Sequence, residues 1–140
     1  MEFRVACATN DGKELIDSHF GEARSYLIYD VTNAEYEKVD RINNSFREEE
    51  DEDDEHGDPQ KAKNIKELLK DKGVQVLLSR KFGPNIVHVR KNFVPVIAKE
   101  YLLRDAVEVL KESLDLVKHQ WVNEEERKHI VLDGNNYHRS

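Results

Sequence analysis

A single cysteine, Cys7, stands in 140 residues, which excludes an internal disulfide and an all-cysteine iron–sulfur site. A reducing, cytoplasmic setting is the expectation that follows. No apolar run approaches the 18 or so residues that a spanning helix needs, and the 36% charged and 38% hydrophobic content leaves little apolar surface for a membrane. Glu2 and Arg4 interrupt the first apolar residues, so no signal-peptide core is expected there. The signatures of catalysis are missing as well. There is no glycine-rich phosphate loop of the P-loop or dinucleotide type and no nucleophile elbow, and no Ser/His/Asp or Cys/His arrangement can be argued. The expectation is a binding protein, not an enzyme. The length suffices for one domain with a core of its own.

The net charge of −7 is almost entirely local. Residues 48–55 are an unbroken run of eight acids, and removing them from −7 leaves +1. Such a run would repel the phosphates of a nucleic acid, which is not expected as a partner. It lacks the ordered spacing of a calcium loop. An extended, solvated loop over about residues 44–58 is the expectation.

Around that loop the chain reads as a mixed α/β domain. Residues 3–9 alternate Phe3, Val5 and Cys7 to one side, which predicts a first strand. Residues 25–31 are aromatic and β-branched, and residues 36–42 alternate after the short turn Thr32-Asn33-Ala34. Strands so closely joined must be antiparallel. Asp58, Pro59 and Gly73 bracket a helix whose Ala62, Ile65, Leu68 and Leu69 share a face. A buried strand over 74–79, a short helix over about 82–90 and a strand over 93–98 follow. Pro95 cannot donate to a ladder, which places that last strand at an edge. A helix over 103–119 carries the stripe Ala106, Val107, Leu110, Leu114 and Val117. The order β-β-β-α-β-α-β-α predicts a mixed sheet covered on both faces. Beyond residue 118 a C-terminal extension begins, with a capping pattern at Asn123 and a short helix expected through about Val131.

The loop after the first strand carries the candidate chemistry. Asn10-Asp11-Gly12-Lys13 and Ser18-His19-Phe20-Gly21 lie where open α/β sheets bind ligands, beyond the carboxyl ends of their strands. A neutral imidazole at His19 can ligate a metal; the bland reading is a loop histidine bonded to backbone. Cys7 could offer a thiolate, but its alternation with Phe3 and Val5 favours a buried, inert thiol. Cys7, His19 and His56 together could bind iron or zinc, though no fixed ligand spacing supports it. Arg24, Arg80 and Lys81 could hold an anionic ligand. His88, His119, His129 and His138 read as surface residues.

Four motifs in order, Asp11-Gly12, Ser18-His19-Phe20-Gly21, His56-Gly57 and Gly83-Pro84, make residues 1–118 resemble the dinitrogenase iron–molybdenum cofactor biosynthesis family, which includes the NifX and NafY carriers. The resemblance implies a ribonuclease-H-like three-layer α/β/α fold with a mixed five-stranded sheet in the order 3-2-1-4-5, strand 2 antiparallel. It also implies that the loops near His19 and near residues 80–84 line one crevice. His19 is the implied cofactor contact and His56 a second. Phe20, Gly21, Arg24, Arg80, Lys81 and Gly83 complete the cofactor-binding set. The sequence departs from the family pattern in the acidic run before His56, in Tyr101-Leu102-Leu103 where small residues are usual, and in the added tail. Nuclease chemistry, which the fold invites, needs a central-strand carboxylate that the first strand lacks. The expected function is a non-enzymatic carrier of an iron–sulfur or iron–molybdenum-type cluster, with assembly or recipient proteins as partners. The competing expectation is an interaction or regulatory domain without cofactor, meeting its partner through the acidic run and Trp121.

Overall fold

The computed structural model describes residues 1–44, 59–84, 86–123 and 127–132, with the side chains of all of these except 59–64, 87 and 88. Its centre is β1 (Glu2–Thr9), inside a mixed sheet of six strands ordered β3-β2-β1-β4-β5-β6. On one side β2 (Ser25–Thr32) runs antiparallel to β1, from Glu2 opposite Thr32 to Thr9 opposite Ser25. The hairpin continues into β3 (Tyr36–Asn43). Its ladder slips between Ile28, opposite Asp40, and Tyr29, opposite Lys38, so that Val39 is left over and exposed. A bulge of this kind twists an edge strand away from further pairing. On the other side β4 (Val76–Ser79), β5 (Val94–Ala98) and β6 (Ile130–Leu132) follow in parallel.

The sixth strand corrects the expected count of five. It lies where the tail was expected to be helical up to Val131. Ile130 and Leu132 are buried and Val131 is exposed, a period of two that fits a strand at the margin of a core. β6 also removes β5 from the edge that Pro95 predicted. The Val94 amide donates to Gln75 O at 2.9 Å on the β4 side, so the proline nitrogen faces the β6 side. Pairing there begins only at Val96 opposite Ile130, and Pro95 breaks no ladder bond.

Alternation along β1 divides the core in two. Phe3, Val5 and Cys7 face a cluster containing Leu103, Ala106, Val107 and Leu110 of α3 (Leu103–Lys111) and Leu114 and Val117 of α4 (Leu114–Val122). Ala6 and Ala8 face the other cluster, with Phe20, Tyr26, and Ile65 and Leu69 of α1 (Pro59–Asp71). Helices therefore cover both faces, and β4, which lies between them, is buried at all four positions. The helix expected over 103–119 is two helices. Ser113 Oγ donates to Val109 O at 3.0 Å, a back-bond that bends a helix, and the chain restarts at Leu114 with its apolar stripe still on the sheet. α1 closes as expected at Gly73, whose φ of +77° turns the chain so that the Val74 amide reaches back to Leu69 O at 3.1 Å. The short α2 covers only Ile86–Val89. The boundary expected after residue 118 falls inside α4.

Candidate functional site

Three loops leave the carboxyl ends of β1, β4 and β5 and are tied together by backbone bonds. The Phe20 amide donates to Lys81 O at 3.0 Å, and His19 and Lys81 form an isolated parallel bridge. The Leu15 amide donates to Tyr101 O and the Leu103 amide to Lys13 O, both at 2.9 Å. The Asn10-Asp11-Gly12 motif holds the first of these loops in shape. Asp11 Oδ1 accepts the amides of Glu14 at 2.9 Å and Lys13 at 2.8 Å, which holds its carboxyl below the usual range. The Gly12 amide donates to the buried Thr9 Oγ1 at 2.8 Å, with Gly12 at a φ of +80° that favours glycine. Asn10 Oδ1 accepts the Arg24 amide at 2.9 Å. These side chains build the turn and are occupied in doing so.

His19 opens a short 3-10 turn (Phe20–Glu22) and is exposed. Its amide donates to Glu22 Oε1 at 3.1 Å, while the Glu22 amide donates to His19 O at 2.9 Å. The ring turns toward the Glu22 amide without forming a cap hydrogen bond and lies against Gly83. No hydrogen bond reaches its Nε2 from the described residues. Phe20, one position on, points inward. It is 5% exposed, with its ring centroid 4.7 Å from that of Tyr26 and 5.4 Å from that of Phe82, stacked on the latter at 12°. The Tyr26 hydroxyl donates to Phe20 O at 2.9 Å, and burial pushes that phenol's pKa up. Asn44 Nδ2 then donates to Ala23 O at 2.9 Å and to Gly21 O at 3.1 Å. Phe20 and Gly21 thus fasten the turn that displays His19.

The cations differ in how they are placed. Arg80 lies 4.0 Å over the Tyr101 ring and its Nη1 is 3.0 Å from Asp17 Oδ1, so its charge is engaged. Lys81 and Arg24 are exposed and have no ion pair with any described residue. Cys7 does not join them. It is fully buried in the cluster beneath α3 and α4, while Phe20 packs on the opposite face of β1. Burial pushes the Cys7 thiol well above its ordinary range, against the thiolate a metal needs. The structure corrects its candidacy as a ligand beside His19. His56 lies outside the described residues. Among the described residues, no group of three or more His, Cys, Asp or Glu side chains could hold a metal ion. His19, Lys81 and Gly83 are brought together.

A separate cavity of about 450 Å³ opens at the amino ends of β4 and β5, lined by Lys70, Lys91, Asn92, Trp121, Val122 and Arg127. Arg127 lies 4.3 Å over the Trp121 ring and donates to Trp121 O at 2.9 Å and Lys91 O at 3.1 Å. Trp121, expected as a contact surface, is half-buried under this side chain. Two other features were not expected: the Asn44–Tyr26 lock and the Asp17–Arg80–Tyr101 stack. The departure noted at Tyr101 was the one available signal.

The fold and site define an α/β protein whose described residues display one imidazole where the sheet changes direction, between β1 and β4. The sequence model of the family described as "dinitrogenase iron-molybdenum cofactor" matches residues 1–113, most of the chain, and the protein belongs to that family. Membership connects it with the biosynthesis or binding of iron–molybdenum cofactor. No curated protein matches the chain. No helix among the described residues is long and apolar enough to cross a membrane.

Proposed function

We propose that this protein is a non-enzymatic, cytoplasmic carrier of an iron–sulfur or iron–molybdenum-type cluster, bound through His19 on a domain of the ribonuclease-H-like type. The observation that carries the proposal is the exposed His19 ring, fixed on the bridge to Lys81 with no hydrogen bond to Nε2 from the described residues. Imidazole is a suitable donor for iron. An anionic cluster would be attracted by Lys81 and by Arg24, five residues beyond His19, neither of which is neutralised by a described neighbour. A lone side-chain ligand gives weak attachment, which suits a protein that must release its cargo to a recipient. The family match supports the cluster class. The alternative, an interaction domain without cofactor, draws less support because Arg127 covers part of Trp121.

The test is anaerobic incubation of the apo-protein with isolated iron–molybdenum cofactor or a synthetic iron–sulfur cluster, followed by gel filtration. Charge-transfer absorption should travel with the protein and be lost in His19→Ala. Equal retention by the variant would remove His19 from the account. No retention by the native protein would favour the interaction domain.

A further inference from the structure

We propose that Gly83 is a positioning residue for His19: its bare backbone seats the imidazole with Nδ1 toward the protein and leaves Nε2 as the presented donor. Gly83 is not required by backbone conformation, since the positive-φ glycines among the described residues are Gly12 and Gly73. A side chain is what it must not have. A Cβ at position 83 would lie 2.8 Å from His19 Nδ1, 3.2 Å from Cγ and 3.4 Å from Cε1, and these are its three nearest atoms. The first of these is closer than real Cβ contacts come. Gly21, in the facing loop, shows the contrast: the nearest atom a Cβ would meet there is Ile65 Cδ1, at 4.0 Å.

The glycine cannot simply withdraw to make room. Its loop is held by the Phe20 amide on Lys81 O at 3.0 Å and by the Ile86 amide on Gly83 O at 3.1 Å. The imidazole is exposed and therefore the part that yields. Gly83 meets the ring on its Nδ1 side, so a metal approaching Nδ1 would meet the Gly83 loop there. Of the two ring nitrogens, Nδ1 is the one nearest Gly83. A ligating histidine is commonly oriented through its other nitrogen's surroundings; here the orienting element is a glycine surface.

The cargo half of this inference rests on the proposed function, and the ring placement stands apart from it. In apo-protein with 15N-labelled histidine, the His19 ring should show cross-relaxation to the Gly83 α-protons. Gly83→Ala should shift both ring nitrogens while far-UV circular dichroism and the unfolding midpoint stay near native. With isolated iron–molybdenum cofactor as probe, Gly83→Ala should weaken retention by about tenfold, the usual scale for losing a ligand's orienting neighbour. Hyperfine broadening should fall on Nε2. The Gly83→Ala, His19→Ala double variant should bind no worse than His19→Ala alone, which a merely structural role would not predict. Unchanged ring resonances in Gly83→Ala, coupling through Nδ1, or additive losses would each overturn the proposal. Should the native protein retain no cluster, the carrier reading fails, and the apo-protein resonances still decide the role of Gly83.

Discussion

Phe20 sits in the same four-residue motif as His19, and its truncation measures how firmly the display turn is anchored. The ring is 5% exposed and lies between Tyr26 and Phe82 in the cluster that faces α1. Phe20→Ala removes the buried ring and leaves a cavity whose walls are pinned, because the Tyr26 hydroxyl and Asn44 hold the surrounding carbonyls in place. Such truncations cost about 3–5 kcal/mol, a large share of the roughly 5–15 kcal/mol that stabilises a domain. For a chain of this size that corresponds to a fall in Tm of roughly 10 °C or more. Urea unfolding followed by far-UV circular dichroism would give the free energy directly, and a double-mutant cycle with Phe82→Leu should return a coupling of about 0.5–1.5 kcal/mol for the stacked pair. A loss below about 1 kcal/mol, within the ordinary range for a point mutation away from the core, would refute the argument. It would mean that the Phe20 ring is not part of the core and is available to a ligand.

Two further predictions concern groups away from the displayed ring. Because Cys7 is fully buried with its thiol pKa raised, a thiol reagent should modify it only as the protein unfolds, and Cys7→Ala should keep native cluster retention; prompt modification of the folded protein would contradict its placement. Asp30 receives Arg4 Nε at 2.8 Å and Nη2 at 3.0 Å, which hold its carboxyl below the usual range. A depressed carboxyl pKa adds stability above its unfolded value, near pH 4, and loses it as pH falls through the folded value. Asp30→Asn should therefore cost about 0.5–1 kcal/mol at neutral pH, a partly exposed pair being worth little more. The gap to native should close in acid, and a gap independent of pH would sink the linkage.

The parts of the fold that were legible are those where burial repeats along the chain. The hairpin showed in the alternation of residues 25–31 and 36–42, and β4 in its short apolar run, because a buried sheet imposes a period that the side chains must follow. The sixth strand did not show. Only Ile130, Val131 and Leu132 carry it, shortly after Glu124-Glu125-Glu126, which reads as a helix start. Pro95 misled because a missing amide forbids a ladder bond on one side of a strand, not on both, and sequence does not say which side is paired. The break at Ser113 depends on a hydroxyl reaching back one turn, an option open to any helical serine. At the site, His19 was visible from its motif, and Lys81 and Gly83 only through the strand order that the family resemblance implied. Asn44 was invisible, since its partners are the backbone carbonyls of Gly21 and Ala23, which leave no trace in residue type.

The alternation of β1 also limits what the site can be. Cys7 faces α3 and α4, and the small Ala6 and Ala8 face the layer where Phe20 packs. A one-residue shift of register would turn the thiol toward the His19 loop, but it would also turn Phe3 and Val5 out of the cluster that seats α3 and α4. The core therefore keeps the only cysteine away from the only described histidine at the sheet's switch point. A cargo held there takes one imidazole nitrogen from the described residues, and the rest of its attraction must come from charge. Arg80 is engaged by Asp17 and Tyr101, which leaves Lys81 and Arg24. On the proposed carrier reading, such a site would hold a preformed anionic cluster briefly. The described residues offer it a single imidazole nitrogen, whereas assembling a cluster from free iron requires several ligands converging on the same atom.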